Sequence, residues 1–171
     1  EERLLADPAG PIVVVRCRAG GRLCHEVAPG FDSVGLMLPT TPLHAMVCEQ
    51  VERPLVCTSG NREGEPLVYQ DEESERTLRG IADAWLHHDR PIARPIDDSV
   101  VRVIQEQPCW LRLARGNAPL VLPLPFSPHD APLVALGGEQ KGAIALSNGS
   151  QAVLGPHVGD LNSAAVCDRW V

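Results

Sequence analysis

The chain has 171 residues and a mass of 18.4 kDa, and its 44% apolar content is enough to bury a core without disulfides or a structural metal. Fifteen basic against twenty-two acidic side chains leave a formal charge of −7, so the overall field repels phosphate backbones and argues against nucleic acid as a partner. No apolar run approaches the ~20 residues of a membrane span and no signal peptide opens the chain, which predicts a cytoplasmic protein with no membrane partner.

Residues 1–6 read as the middle of a helix without a cap. Short β-like runs bounded by Gly, Pro and Asp follow at 12–18, 34–38, 55–58, 84–87, 99–104 and 109–113. Residues 43–51 carry Leu43, Met46, Val47 and Val51 on one helical face just after Thr41-Pro42, a cap and a first-turn proline. Residues 71–78 open with acids and carry arginine toward the end, the polarity that a surface helix favours. Strands mixed with single helices predict an α/β or α+β unit built on an open, twisted mixed sheet.

Five prolines between 119 and 132 then read as an extended connector. Beyond it, runs at 133–136, 143–146 and 151–154, with turns at Gly137-Gly138 and Asn148-Gly149, predict a small β-meander before a helix near Asn162. The expected domains are 1–120, a linker at 121–132, and 133–171, too short to close its own core and therefore read as truncated.

Six scattered cysteines contain no C-x-x-C pair, and Cys17, Cys24 and His25 lack zinc-finger spacing, so reduced and mostly buried thiols are expected. Thr58-Ser59-Gly60-Asn61 follows an apolar run. Hydroxyls, an amide and free backbone N–H groups at the carboxyl end of a strand suit an anionic or nucleotide ligand, although an ordinary turn with a positive φ at Gly60 or Asn61 explains the spacing as well. Asp97-Asp98-Ser99 heads a strand, where paired acids hold Mg²⁺ beside a nucleotide or merely form a polar turn. Arg115, before a Gly-Asn turn, is either an anion clamp or a surface arginine. His87 and His88 point to opposite faces if extended, so one is expected in the core and the other in solvent or a site. Lys141, the sole lysine, sits in a glycine turn without P-loop spacing.

In order along the chain, Thr58-Ser59-Gly60-Asn61, Gly64-Glu65-Pro66, His88-Asp89-Arg90-Pro91-Ile92, Asp97-Asp98-Ser99-Val100-Val101-Arg102 and Arg112-Leu113-Ala114-Arg115-Gly116 resemble the later part of the YrdC-like domain of the HypF family. Gly137-Gly138-Glu139-Gln140-Lys141 and His157-Val158-Gly159-Asp160-Leu161 look like the opening of that family's second unit, a TsaD-like domain of the ASKHA class. The resemblance implies a carbamoyltransferase of nickel-iron hydrogenase maturation, read here as a fragment. Such an enzyme makes carbamoyl adenylate from carbamoyl phosphate and ATP, with Mg²⁺, and passes the carbamoyl group to the C-terminal cysteine of HypE. It further implies that Thr58, Ser59, Asn61, Ser99 and Arg115 contact the adenylate, and that any zinc belongs to parts of the family outside these residues. The alternative is a YrdC-type threonylcarbamoyl-adenylate synthase of tRNA modification, which lacks the second unit. Gly60 stands where the family has alanine, and Gln140 and Gly142 where it has leucine and asparagine.

Overall fold

A computed structural model of the chain describes residues 1–18, 20–21, 25–125, 131–161 and 164–168. In chain order it contains α1 (Glu2–Leu5), β1 (Ile12–Arg16), a 3-10 turn (His25–Val27), β2 (Ser33–Leu36), α2 (Pro42–Val51), α3 (Asp71–Thr77), β3 (Val100–Ile104), β4 (Gln107–Arg112), β5 (Leu120–Pro123), β6 (Leu133–Leu136), β7 (Ile144–Asn148), β8 (Gln151–Leu154) and α4 (Ala164–Cys167). Two compact units share these elements, one made of Glu1–Val56 and Asp98–Val121, the other of Cys57–Asp97 and Leu122–Val171.

The first unit holds a mixed sheet in the order β2-β1-β3-β4, with β1 and β3 parallel and the outer pairs antiparallel. Val13 lies opposite Val101 in the parallel ladder, and these two fully buried side chains, with Pro11, Ser99 and Ala114, form the core. β-branched residues suit this position because they pack on the pleated face of a central strand. A bulge at the start of β3 places Arg112 opposite Val100 and Trp110 opposite Val101, which re-aims the end of β4. Helix α2 begins as its sequence predicts: the Thr41 hydroxyl accepts the His44 N–H at 3.1 Å and Pro42 occupies the first turn.

The second sheet has the order β5-β8-β7-β6. β6, β7 and β8 form the expected antiparallel meander, but Asn148 pairs with Gln151 in the ladder, so the turn is Gly149-Ser150, with Gly149 at φ +60. Leu120–Pro123, at the start of the proline-rich stretch, is a strand of this sheet.

Two expected strands are absent. Residues 55–58 and 84–87 form no regular element and have no ladder partner among the described residues, and Val56 and Leu86 stand 77% and 65% exposed. An apolar β-forming run becomes a strand only where another strand satisfies its backbone groups, and none of the described strands lies alongside. The cysteines also depart from expectation: Cys17 and Cys48 are half-buried, while Cys57, Cys109 and Cys167 are exposed, and none of the five is in a disulfide. Cys24 and Asn162 lie outside the described residues.

Candidate nucleotide site

In the first unit, the head of β3 brings Ser99 and Arg115 together. Asp98 and Arg115 form a parallel bridge, and Ile12 N–H donates to the Ser99 carbonyl at 2.8 Å. The Ser99 side chain is fully buried; its hydroxyl donates to the Arg115 carbonyl at 3.0 Å and accepts the Ala114 N–H at 2.9 Å. The Arg115 guanidinium grips one oxygen of Asp98 through Nε (3.0 Å) and Nη2 (2.6 Å), and reaches the carbonyls of Gly10 at 3.1 Å and Ala9 at 3.4 Å. Arg112 Nε donates to the Asp98 carbonyl at 2.7 Å. The chain is crowded here: a Cβ on Gly10 (φ +59) would lie 2.8 Å from the side-chain Cγ2 of Thr40, and one on Gly116 (φ +80) 2.8 Å from the backbone Cα of Ala9. Only glycine fits either position. Chemically, the unit presents a guanidinium held rigid by its own carboxylate and two carbonyls, beside a serine that fixes the strand mouth.

In the second unit, Thr58 and Ser59 are exposed at the end of the unpaired run. The loop that follows closes on itself. Asn61 Nδ2 donates to the carbonyls of Arg62 (2.9 Å) and Glu65 (3.0 Å), Val68 N–H donates to the Gly60 carbonyl (3.0 Å), and Arg62 Nε donates to the Thr77 carbonyl at the end of α3 (2.9 Å). Asn61 thus spends its amide N–H groups on the loop and keeps its oxygen outside these bonds. Neither Gly60 nor Asn61 has a positive φ; the left-handed residue is Gly64, at φ +76. The turn explanation on its own terms therefore fails at the two positions where the spacing placed it.

The sequence did not reveal that its two later motifs meet. The Asp160 carboxylate accepts the Lys141 N–H at 2.7 Å, Gly142 and Gly159 bridge, and Leu161 N–H donates to the Glu139 carbonyl at 2.8 Å. Lys141 itself is left-handed, at φ +55. Nor was the partner of Asp97 foreseen: its Oδ2 lies 2.8 Å from His157 Nδ1. A lone histidine in a loop and one acid of a pair give no signal of contact sixty residues apart. His87 is neither core nor free, its two ring nitrogens facing Asp71 (3.1 Å) and Glu75 (3.2 Å) on α3, while His88 is exposed.

These contacts bear on magnesium. Asp98 pairs with Arg115 and Asp97 with His157, each through one carboxylate oxygen, and no group of three or more His, Cys, Asp or Glu placed to hold a metal ion occurs among the described residues. No helix of the described residues is long and apolar enough to cross a membrane.

Residues 2–114 match the Sua5, YciO and YrdC family model, described as telomere recombination, and residues 128–171 match the model of the HypF Kae1-like domain. Carbamoyltransferase HypF of Rhodobacter capsulatus is 48% identical over 168 residues, covering 98% of this chain and 22% of that protein. Carbamoyltransferase HypF of Synechocystis sp. is 42% identical over 164 residues, covering 96% and 21%. The crystal structure of full-length HypF in its phosphate- and nucleotide-bound form superposes with a TM-score of 0.90 at 35% identity over 99% of this chain and 27% of that one. The crystal structure of T. kodakarensis HypF gives 0.90 at 29% identity over 99% and 22%. The chain spans about a fifth of the length of the curated relatives it matches. The match over residues 2–114 places the chain in the Sua5, YciO and YrdC family, and the relatives it resembles across nearly every residue are HypF carbamoyltransferases.

Proposed function

We propose that these residues serve a carbamoyltransferase that forms carbamoyl adenylate from carbamoyl phosphate and ATP and delivers the carbamoyl group to the C-terminal cysteine of HypE in hydrogenase maturation. The observation that carries the reading is the succession of a YrdC-type match at 2–114 and a HypF Kae1-like match at 128–171 in one chain. A stand-alone threonylcarbamoyl-adenylate synthase has no use for the second stretch. In this reading residues 1–120 supply the later part of a YrdC-like domain, 121–132 connect, and 133–171 begin the TsaD-like domain.

Residue roles follow from the local chemistry. The exposed hydroxyls of Thr58 and Ser59 and the side-chain oxygen of Asn61 are the groups of the loop suited to the phosphate and carbamoyl edges of an adenylate. Ser99 acts by holding the Ala114–Arg115 backbone, and Arg115 offers a preset positive charge partly balanced by Asp98. Magnesium arrives with the phosphates of the nucleotide.

Calorimetric titration with a non-hydrolysable ATP analogue tests the assignment, in a full-length HypF-type protein containing this sequence. Ser59→Ala removes an exposed hydroxyl with no role in the loop's own bonds and should weaken binding about tenfold, the worth of one hydrogen bond to a charged group. Unchanged affinity in both Ser59→Ala and Asn61→Ala would remove the loop from the site.

A further inference from the structure

The His157–Asp97 contact belongs to no role given so far. Asp97 falls within the stretch matched as YrdC-type and His157 within the stretch matched as HypF Kae1-like, yet both belong to one compact unit. Their side chains are 24% and 10% exposed, so the 2.8 Å bond is shielded from competing water. The loop that carries His157 is otherwise tied to its own neighbourhood: Val158 N–H to the Gly142 carbonyl at 3.0 Å, Gly142 N–H to the Gly159 carbonyl at 3.2 Å, and Asp160 to the Lys141 N–H. The bond to Asp97 joins that loop to the YrdC-type stretch within the same compact unit.

The other ring nitrogen of His157, Nε2, is buried and has no hydrogen-bond partner among the described residues. A reactive nitrogen sealed from solvent cannot meet a substrate in this arrangement. It is an arrangement for holding rather than for proton transfer.

We propose that Asp97 and His157 are a positioning pair for carbamoyl transfer, a hydrogen bond that ties the Kae1-like stretch to the YrdC-type stretch within one compact unit. The proposal rests on the carbamoyltransferase reading above. The bonds given above for Asn61, Ser99 and Arg115 involve neither residue, so on this proposal breaking the pair spares adenylate formation and impairs passage of the carbamoyl group onward.

The test uses a full-length HypF-type protein containing this sequence, with two readouts: carbamoyl-phosphate-dependent ATP–pyrophosphate exchange, which reports adenylation and a folded protein, and carbamoylation of the acceptor cysteine. His157→Leu and Asp97→Leu should each keep exchange within about threefold and lower transfer at least about tenfold, as expected of a coupling contact. The double variant should be no worse than Asp97→Leu, in which the bond to His157 is already lost. Asp97→Asn keeps an oxygen that accepts the Nδ1 hydrogen and should restore transfer to within about threefold. Transfer by His157→Leu within about twofold of the unchanged protein, exchange falling as far as transfer, additive single effects, or an Asp97→Asn protein as impaired as Asp97→Leu would each overturn the proposal. Absence of carbamoyl-phosphate-dependent exchange in the unchanged protein is a different failure: it removes the carbamoyltransferase reading, and the proposal with it.

Discussion

Ser99 has a fully buried hydroxyl that serves two backbone groups at once, the Arg115 carbonyl and the Ala114 N–H. Ser99→Ala leaves both unsatisfied in the core. The variant should lose about 1–3 kcal/mol of stability, measured by urea unfolding of the 171-residue chain, and a loss within error of zero would show that water reaches the gap. Gly60 makes the opposite case. Its φ is not left-handed and a Cβ there would lie 3.7 Å from Leu78 Cδ1, an ordinary contact. Gly60→Ala, the residue that the family resemblance expects, should therefore raise stability by up to about 1 kcal/mol by restricting the unfolded chain. A fall in the unfolding midpoint would mean that the loop needs glycine after all. Ser99 and Arg115 were legible in the sequence because each flanks a turn at a strand end. What they touch was not: Gly10 lies 105 residues from Arg115, and Asp98 precedes it by 17, separations at which spacing carries no information.

At the scale of elements, the readable ones are those whose hydrogen bonds close locally. Helix α2 is announced by Thr41-Pro42 and by its apolar face, and it forms where announced. The β3–β4 hairpin is less well marked, since its two central residues, Gln105 and Glu106, both take left-handed φ (+49 and +64) without glycine or asparagine. That conformation favours Asn-Gly. The double substitution Gln105→Asn with Glu106→Gly should stabilise the chain by roughly 1 kcal/mol in thermal unfolding, and destabilisation would show that the native side chains earn their strain through contacts. Residues 55–58 failed as a strand for the converse reason. Their composition is right, but strand formation depends on a neighbour, and composition says nothing of one.

At the scale of the molecule, the meander was legible from its turns, while the way the segment 57–97 shares a compact unit with 122–171 was not. The edge strand β6 is exposed along its whole length, with Val134 and Leu136 on one face at 64% and 68%. An apolar edge of this kind invites pairing with another chain. Val134→Lys should lower self-association of the 171-residue chain in light scattering without a change in unfolding midpoint, and unchanged association would move the sticky surface elsewhere. The motif order gives the 171 residues their meaning: two stretches, matched by two different family models, that meet through His157 and Asp97. The most direct test of that account is ATP–pyrophosphate exchange by a full-length protein containing this sequence, run once with carbamoyl phosphate and once with threonine and bicarbonate. Exchange that depends on carbamoyl phosphate is the predicted result; exchange driven by threonine and bicarbonate alone would contradict the carbamoyltransferase assignment.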